Sequence, residues 1–308
     1  MKILISDKIH QDGIKIMERE GFKVVQKYSL TPDQLKDEIH QYDGIIVRSG
    51  TKLNSSVLEN APNLKVIGRA GVGLDNIDLQ KAEELEIKVF NTPEAPSVSV
   101  AELTIGLLLN LVRHISKADR TMHCGEWCKG DFMGTTLKGK KIGLIGFGNI
   151  GKEVAKKVAA FEMKIGVYDV DEKAKEIAKT LGYTIFSSVD ELIQNSQIIS
   201  LHIPATVKTE NTLNKRRFEL MKENTYIINT ARGDLVDEKA LMEALQHGKI
   251  AGAALDVYKT EPLENMDLCN CERNLILTPH IGSQTIETQV NAAVKVVEKI
   301  AEYLLTRE

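Results

Sequence analysis

The chain has 308 residues, 43% hydrophobic and 27% charged, with a formal net charge of −3. That is ordinary globular composition, long enough for two cores, and it gives no ground for a nucleic-acid partner, which calls for a strongly basic face. No apolar run approaches the ~20 residues that cross a bilayer, and the first residues read as strand then helix without the apolar core and cleavage site of a signal peptide. A cytoplasmic protein without a membrane partner is expected. Cys124, Cys128, Cys269 and Cys271 lack zinc-finger spacing, although His123 adjoins the first. They read as free thiols, with no metal and no disulfide.

The first hundred residues alternate strand and helix. KILIS at 2–6, GIIV at Gly44–Val47, KVIG at 65–68 and KVF at 88–90 are short apolar runs of the kind that form buried strands. Thr31-Pro32-Asp33 reads as a helix cap followed by proline at the first helical position. Residues 97–115, SVSVAELTIGLLLNLVRHI, form a long helix with apolar side chains almost all round. Such a helix is buried, either by its own domain or by a second subunit.

A second alternation starts at Lys140. Strands are read at 140–146, 164–169, 198–203, 226–230, 251–257 and 275–278, with helices at 149–161, 173–181 and 237–246 between them. Ser188 and Glu191 form a capping box for a further helix, and Gly248 lies near a helix C-cap. An amphipathic helix over roughly 285–305 closes the chain. It has no strand of its own and is simplest to bury by returning it to the first unit. The alternation predicts two parallel sheets with covering helices, one unit over 1–98 and 281–308, the other over 99–280.

Residues 146–151, GFGNIG, follow an apolar strand and open a helix, and Asp169 ends the next strand. That is the fingerprint of a dinucleotide cradle. Gly146 permits a tight turn, Gly148 lets the backbone approach a pyrophosphate, and Gly151 lets helix pack on strand. Asp169 is placed to accept hydrogen bonds from a ribose. With Asp171 close by and no arginine adjacent, a 2′-phosphate would be repelled, so NAD is favoured over NADP.

In an open α/β sheet, ligands sit beyond the C-terminal strand ends. Three successive ends in the second unit carry Arg232, then Glu261, then His280. This set suits hydride transfer on an alcohol. Histidine serves as the base for the hydroxyl proton, a carboxylate orients it, and arginine binds a substrate carboxylate. His202, after another strand, faces either the cofactor or the core.

GLIGFGNIG, NTARGDLVDEKAL, AALDVYKTEP and LTPHIGSQT resemble, in order and over nearly the whole chain, the D-isomer-specific 2-hydroxyacid dehydrogenases. VRSGTKL, GRAGVGLDNIDL and NTPEAPSVSVAELT are most similar to its D-3-phosphoglycerate-oxidising branch, which opens the phosphorylated route to serine. The resemblance implies a Rossmann dinucleotide-binding domain inserted in a flavodoxin-like substrate domain, NAD as cofactor, and a homodimer through the NAD-binding domain. It implies His280 as general acid/base, Glu261 as its partner and Arg232 as carboxylate anchor. Ala70, Gly71 and Val72 would offer backbone N–H groups to the carboxylate, with Val72 near the nicotinamide. Arg48, Ser49 and Arg69 would hold the phosphate of a phosphorylated 2-hydroxy acid. Asn149 and Ile150 would follow the pyrophosphate; Thr230, Ala231, Asp256 and Gly282 would line the nicotinamide; His202, Ile203, Pro204 and Ser283 complete the cofactor contacts. A C-terminal serine-sensing domain is not expected after the last helix. Two alternatives stand beside this: a dehydrogenase of an unphosphorylated D-2-hydroxy acid, and an NAD(H)-sensing binding protein.

Overall fold

The structure, a computed structural model, describes residues 1–306. It divides into two compact units, Met1–Pro96 with Ser283 onward, and Ser97–Gly282.

The first unit is built on five strands: β1 (Lys2–Ile5), β2 (Lys23–Gln26), β3 (Gly44–Val47), β4 (Val66–Arg69) and β5 (Lys88–Asn91). They pair in parallel in the order β2-β1-β3-β4-β5. This is the flavodoxin-like order, with its reversal between β1 and β3. Strands buried on both faces need continuous apolar sequence, and β3, GIIV, is buried at every position. The helix Ile286–Leu305 covers one face with Ala293, Val296, Val297 and Ile300. It comes so close to β4 that a Cβ on Gly68 would lie 2.3 Å from Ile300 Cδ1. Leu35, Ile39, Tyr42, Val57 and Leu58 cover the other face.

The second unit has seven strands: β6 (Lys141–Ile145), β7 (Lys164–Tyr168), β8 (Thr184–Ile185), β9 (Ile198–Leu201), β10 (Thr225–Asn229), β11 (Ile250–Leu255) and β12 (Leu275–Leu277). All pair in parallel in the order β12-β11-β10-β9-β6-β7-β8. This is the Rossmann order, reversing between β6 and β9. Both sheets are therefore doubly wound, as the alternation predicts.

The edge strands β2 and β8 are absent from the sequence reading. The helix expected over 97–115 ends at Arg113, and a second, Ile115–His123, leaves it at 67°. His114 takes a left-handed conformation, φ 56°, and Asn110 Oδ1 accepts the Ser116 N–H at 2.8 Å, so the ladder stops there. The first helix is not covered all round within this chain, since Val98 is half exposed. Among the described residues, no single helix is long and apolar enough to cross a membrane.

Candidate active site and dinucleotide cradle

The chain passes from β6 to β7 on one side and from β9 to β10 on the other, so a crevice opens at the C-terminal ends of β6 and β9. The glycine loop lies there. Gly146 has φ +102°, where side chains are strained, and a Cβ would come 2.4 Å from the His202 carbonyl oxygen. A Cβ on Gly151 would come 2.3 Å from the Gly146 carbonyl oxygen. Gly148 differs: no atom lies within 4 Å of where its Cβ would be. Gly148 also caps the helix Asn149–Ala159, and no side chain accepts its first-turn N–H groups. Open space, unpaired donors and the positive dipole end fit a pyrophosphate.

Gly148→Val is therefore expected to leave the thermal midpoint unchanged while NADH affinity falls about tenfold or more, equivalent to about 1.4 kcal/mol of lost binding. NADH titration by fluorescence with undiminished affinity would place the dinucleotide elsewhere.

Asp169 accepts the Phe147 N–H at 2.6 Å on one oxygen and the Asp171 N–H at 2.9 Å on the other. Each oxygen keeps lone-pair capacity for ribose hydroxyls. His202 Nε2 lies 2.9 Å from Ser200 Oγ, and burial pushes the ring's pKa down to about 4, so it is neutral at working pH. Its buried Nδ1 has no partner among the described residues. Ile203 leans over Gly146. Pro204 is exposed, and its carbonyl accepts from Thr209 Oγ1 at 2.7 Å.

The loops after β10, β11 and β12 hold Arg232, Glu261 and His280, the residues expected to do the acid/base chemistry. Arg232 donates to the Ala231 carbonyl at 2.7 Å. The next residue, Gly233, is pressed on the following loop: a Cβ would sit 1.9 Å from the Tyr258 carbonyl carbon. Within that loop the Tyr258 N–H donates to Glu261 Oε1 at 3.1 Å, and Glu238 accepts the Lys259 N–H at 3.1 Å and Asn265 Nδ2 at 2.7 Å. Glu261 Oε2 meets His280 Nδ1 at 2.7 Å. His280 itself is left-handed, φ 51°, an uncommon state for a residue with a side chain. Asp256, 1% exposed, holds it there from both sides. Its carboxylate accepts Thr278 Oγ1 at 2.6 Å and the N–H groups of Ile281 and Gly282, each at 2.8 Å. The Tyr258 hydroxyl donates to the Thr278 carbonyl at 2.8 Å. Burial, with Asp256 nearby, pushes Tyr258 up to about 12, so it stays a donor. The side chains of His280 and Glu261 remain 46% and 38% exposed, open enough to reach a ligand.

In the first unit, Asp7 organises the turn after β3 by accepting the N–H groups of Arg48 at 2.6 Å and Thr51 at 3.0 Å. Asn76 closes the same turn, donating to the carbonyls of Arg48 and Thr51 at 2.8 and 2.6 Å. Ser49 is exposed in it. Partial burial draws the Arg48 guanidinium below its ordinary pKa, opposed by the Asp7 charge. After β4, Arg69 folds over Gly71: a Cβ at φ +145° there would lie 1.4 Å from the guanidinium. The carbonyls of Gly71 and Val72 are tied to the Thr92 N–H and Asn91 Nδ2. The N–H groups of Gly71 and Val72 have no acceptor among the described residues.

These motifs sit in a chain with clear relatives. Residues 105–282 match the model of the D-isomer specific 2-hydroxyacid dehydrogenase NAD binding domain. The chain is 45% identical over 304 residues to the D-3-phosphoglycerate dehydrogenase of Methanocaldococcus jannaschii, covering 99% of this chain and 57% of that one. It is 41% identical over 303 residues to the hydroxypyruvate reductase of Thermotoga maritima, covering 97% of each. The chain belongs to the D-isomer specific 2-hydroxyacid dehydrogenases. A solved structure of a Thermus thermophilus protein superposes with a TM-score of 0.91 at 33% identity, covering 100% of this chain and 98% of that one. The chain spans about half the length of the phosphoglycerate dehydrogenases it matches. The second unit is its NAD-binding domain.

The structure amends some of the expected roles. Ala70 cannot offer its N–H to a substrate, because the Val47 carbonyl takes it at 2.9 Å in an extension of the sheet. Asp256 carries three loop bonds, so the part that the geometry gives it is to position His280. The Thr230 hydroxyl is buried against Thr104 Oγ1 at 3.0 Å. Gly282 ends the NAD-binding unit, while Ser283 starts the return to the first and accepts from Gln289 Nε2 at 3.0 Å. Glu238, Tyr258 and Asn76 hold functional loops and carry no signal in local sequence, since their partners are distant along the chain.

Proposed function

We propose that this dehydrogenase interconverts D-3-phosphoglycerate and 3-phosphohydroxypyruvate with NAD. The observation that carries the chemistry is the Glu261–His280 pair at 2.7 Å, at the same C-terminal end of the parallel strands as the cradle and beside the Arg232 turn. An ionised carboxylate only accepts, so Nδ1 supplies the hydrogen of that bond and Nε2 is left to move a proton. During oxidation Nε2 takes the substrate hydroxyl proton, and during reduction it returns one to the carbonyl oxygen. Glu261 offsets the charge of the imidazolium. Arg232 anchors the substrate carboxylate. The residues 146–151 and Asp169 hold NAD, which when bound supplies the hydride acceptor. The acidic pair Asp169 and Asp171 disfavours a 2′-phosphate.

The phosphorylated substrate is supported by Arg48 and Arg69 at neighbouring strand ends and by the phosphoglycerate dehydrogenase relatives. A charge-assisted hydrogen bond contributes about 1.5–3 kcal/mol, so Arg48→Ala or Arg69→Ala should cut kcat/KM for 3-phosphohydroxypyruvate about 10–100-fold. Unphosphorylated hydroxypyruvate should lose little; equal losses on both would sink the phosphate assignment. The second reading, reduction of hydroxypyruvate itself, is favoured by the Thermotoga maritima relative, whose length this chain spans almost fully.

A homodimer through the NAD-binding unit is also proposed. Val98, Ile115, Met122, Trp127 and Met133 are 50% to 87% exposed within one stretch of that unit, an apolar surface that a second copy would cover. A monomeric mass in sedimentation equilibrium would remove this proposal.

A further inference from the structure

We propose that Asn229 is the positioning residue of the carboxylate anchor: its side-chain amide fixes the peptide from which Arg232 leaves the sheet. The inference rests on the reading of Arg232 as that anchor.

Asn229 is the last residue of β10 and is 0% exposed. In register it lies between Leu201 of β9 and Leu255 of β11. An amide in such apolar surroundings is costly unless both its ends are paired. Both are, and both bonds run forward into the next turn instead of across the sheet. Oδ1 accepts the Ala231 N–H at 3.1 Å, and Nδ2 donates to the Arg232 carbonyl at 2.8 Å. Asn229 thus holds the two peptides that flank the 231–232 peptide, whose carbonyl takes the Arg232 guanidinium at 2.7 Å. The Asn229 carbonyl in turn accepts the Asp256 N–H at 2.9 Å. Asp256 holds the His280 loop, so two adjacent strand-end side chains set the two catalytic turns.

Asparagine suits this place because one short planar group must both donate and accept. Aspartate has the same shape but would set an oxygen against the Arg232 carbonyl. Alanine leaves both turn groups unpaired. Either change loosens the Arg232 turn, and a shift of an ångström in a charged anchor is costly to catalysis.

The test is a double-substitution cycle. Hydroxypyruvate reduction by NADH is measured for Asn229→Ala, Asn229→Asp, Arg232→Ala and each pairing with Arg232→Ala, and NADH affinity is measured by fluorescence. Each single Asn229 variant is expected to lower kcat/KM about 10²-fold, largely through KM, with NADH affinity essentially kept. In the Arg232→Ala background the Asn229 changes should cost nothing further, the mark of a residue acting through its neighbour. Losses that add in the double variants, or NADH affinity that falls with them, would overturn the proposal in favour of general packing. Arg232→Ala alone reads the anchor assignment separately. An unchanged KM there removes that assignment and this proposal with it, whereas a raised KM with additive losses removes only the proposal. Asn229→Asp, matched in shape, keeps the test decisive should Asn229→Ala fail to fold.

Discussion

His280→Asn is expected to lower kcat by about 10²–10⁴-fold, the usual contribution of a positioned acid/base, while NADH binding stays intact. The asymmetry follows from where the groups sit. In the proposed site the dinucleotide is held by residues 146–151 and Asp169, which follow β6 and β7, and His280 follows β12 at the far edge of the same sheet. Removing the imidazole deletes the ring nitrogen that Glu261 orients but leaves the cradle untouched. Asparagine is the informative substitute, because it tolerates the left-handed φ of 51° that position 280 requires. A β-branched residue there would confuse lost chemistry with backbone strain. The Asp256 bonds to Ile281 and Gly282 use backbone N–H groups and survive the change. Stopped-flow turnover beside NADH titration checks this; lost NADH binding would make His280 structural instead.

Arg232→Lys should cost nearly as much as Arg232→Ala, with kcat/KM falling about 10²–10³-fold, as when one charge-stabilising donor is removed from an active site. Lysine keeps the charge but loses the planar fork that pairs both oxygens of a carboxylate. It also loses the geometry of the bond to the Ala231 carbonyl at 2.7 Å. The loss should be the same for phosphorylated and unphosphorylated 2-oxo acids, since both carry the carboxylate. That separates it from Arg48→Ala, whose effect should follow the phosphate. Steady-state kinetics on the two substrates checks both at once. Full activity of Arg232→Lys would show that a point charge suffices and that no bidentate pairing occurs there.

Both sheets were legible in the sequence because parallel strands covered on two faces demand uninterrupted apolar runs such as GIIV at β3 and IISL at β9. The strands that were missed sit at sheet edges. KVVQ of β2 begins and ends on exposed residues, and TI of β8 is two residues long, so neither leaves a pattern. The break at His114 depends on the Asn110–Ser116 bond, which helical periodicity does not report. At the site, residues whose chemistry is intrinsic stood out: glycines before a helix, one histidine, one glutamate and one arginine at strand ends. Residues that hold those groups did not. Asn229 reads as the polar end of a strand until its amide is seen to close the Arg232 turn. Ala70 shows the converse, since its amide looked available until the sheet extension to Val47 claimed it.

NADH consumption with 3-phosphohydroxypyruvate, measured beside hydroxypyruvate and pyruvate in the reducing direction, decides the substrate. A strong preference for the phosphorylated compound is the expected result and gives Arg48 and Arg69 their role. Turnover confined to the unphosphorylated acids would contradict it, leaving the fold, NAD and the Glu261–His280 pair in place but assigning this dehydrogenase a different 2-hydroxy acid.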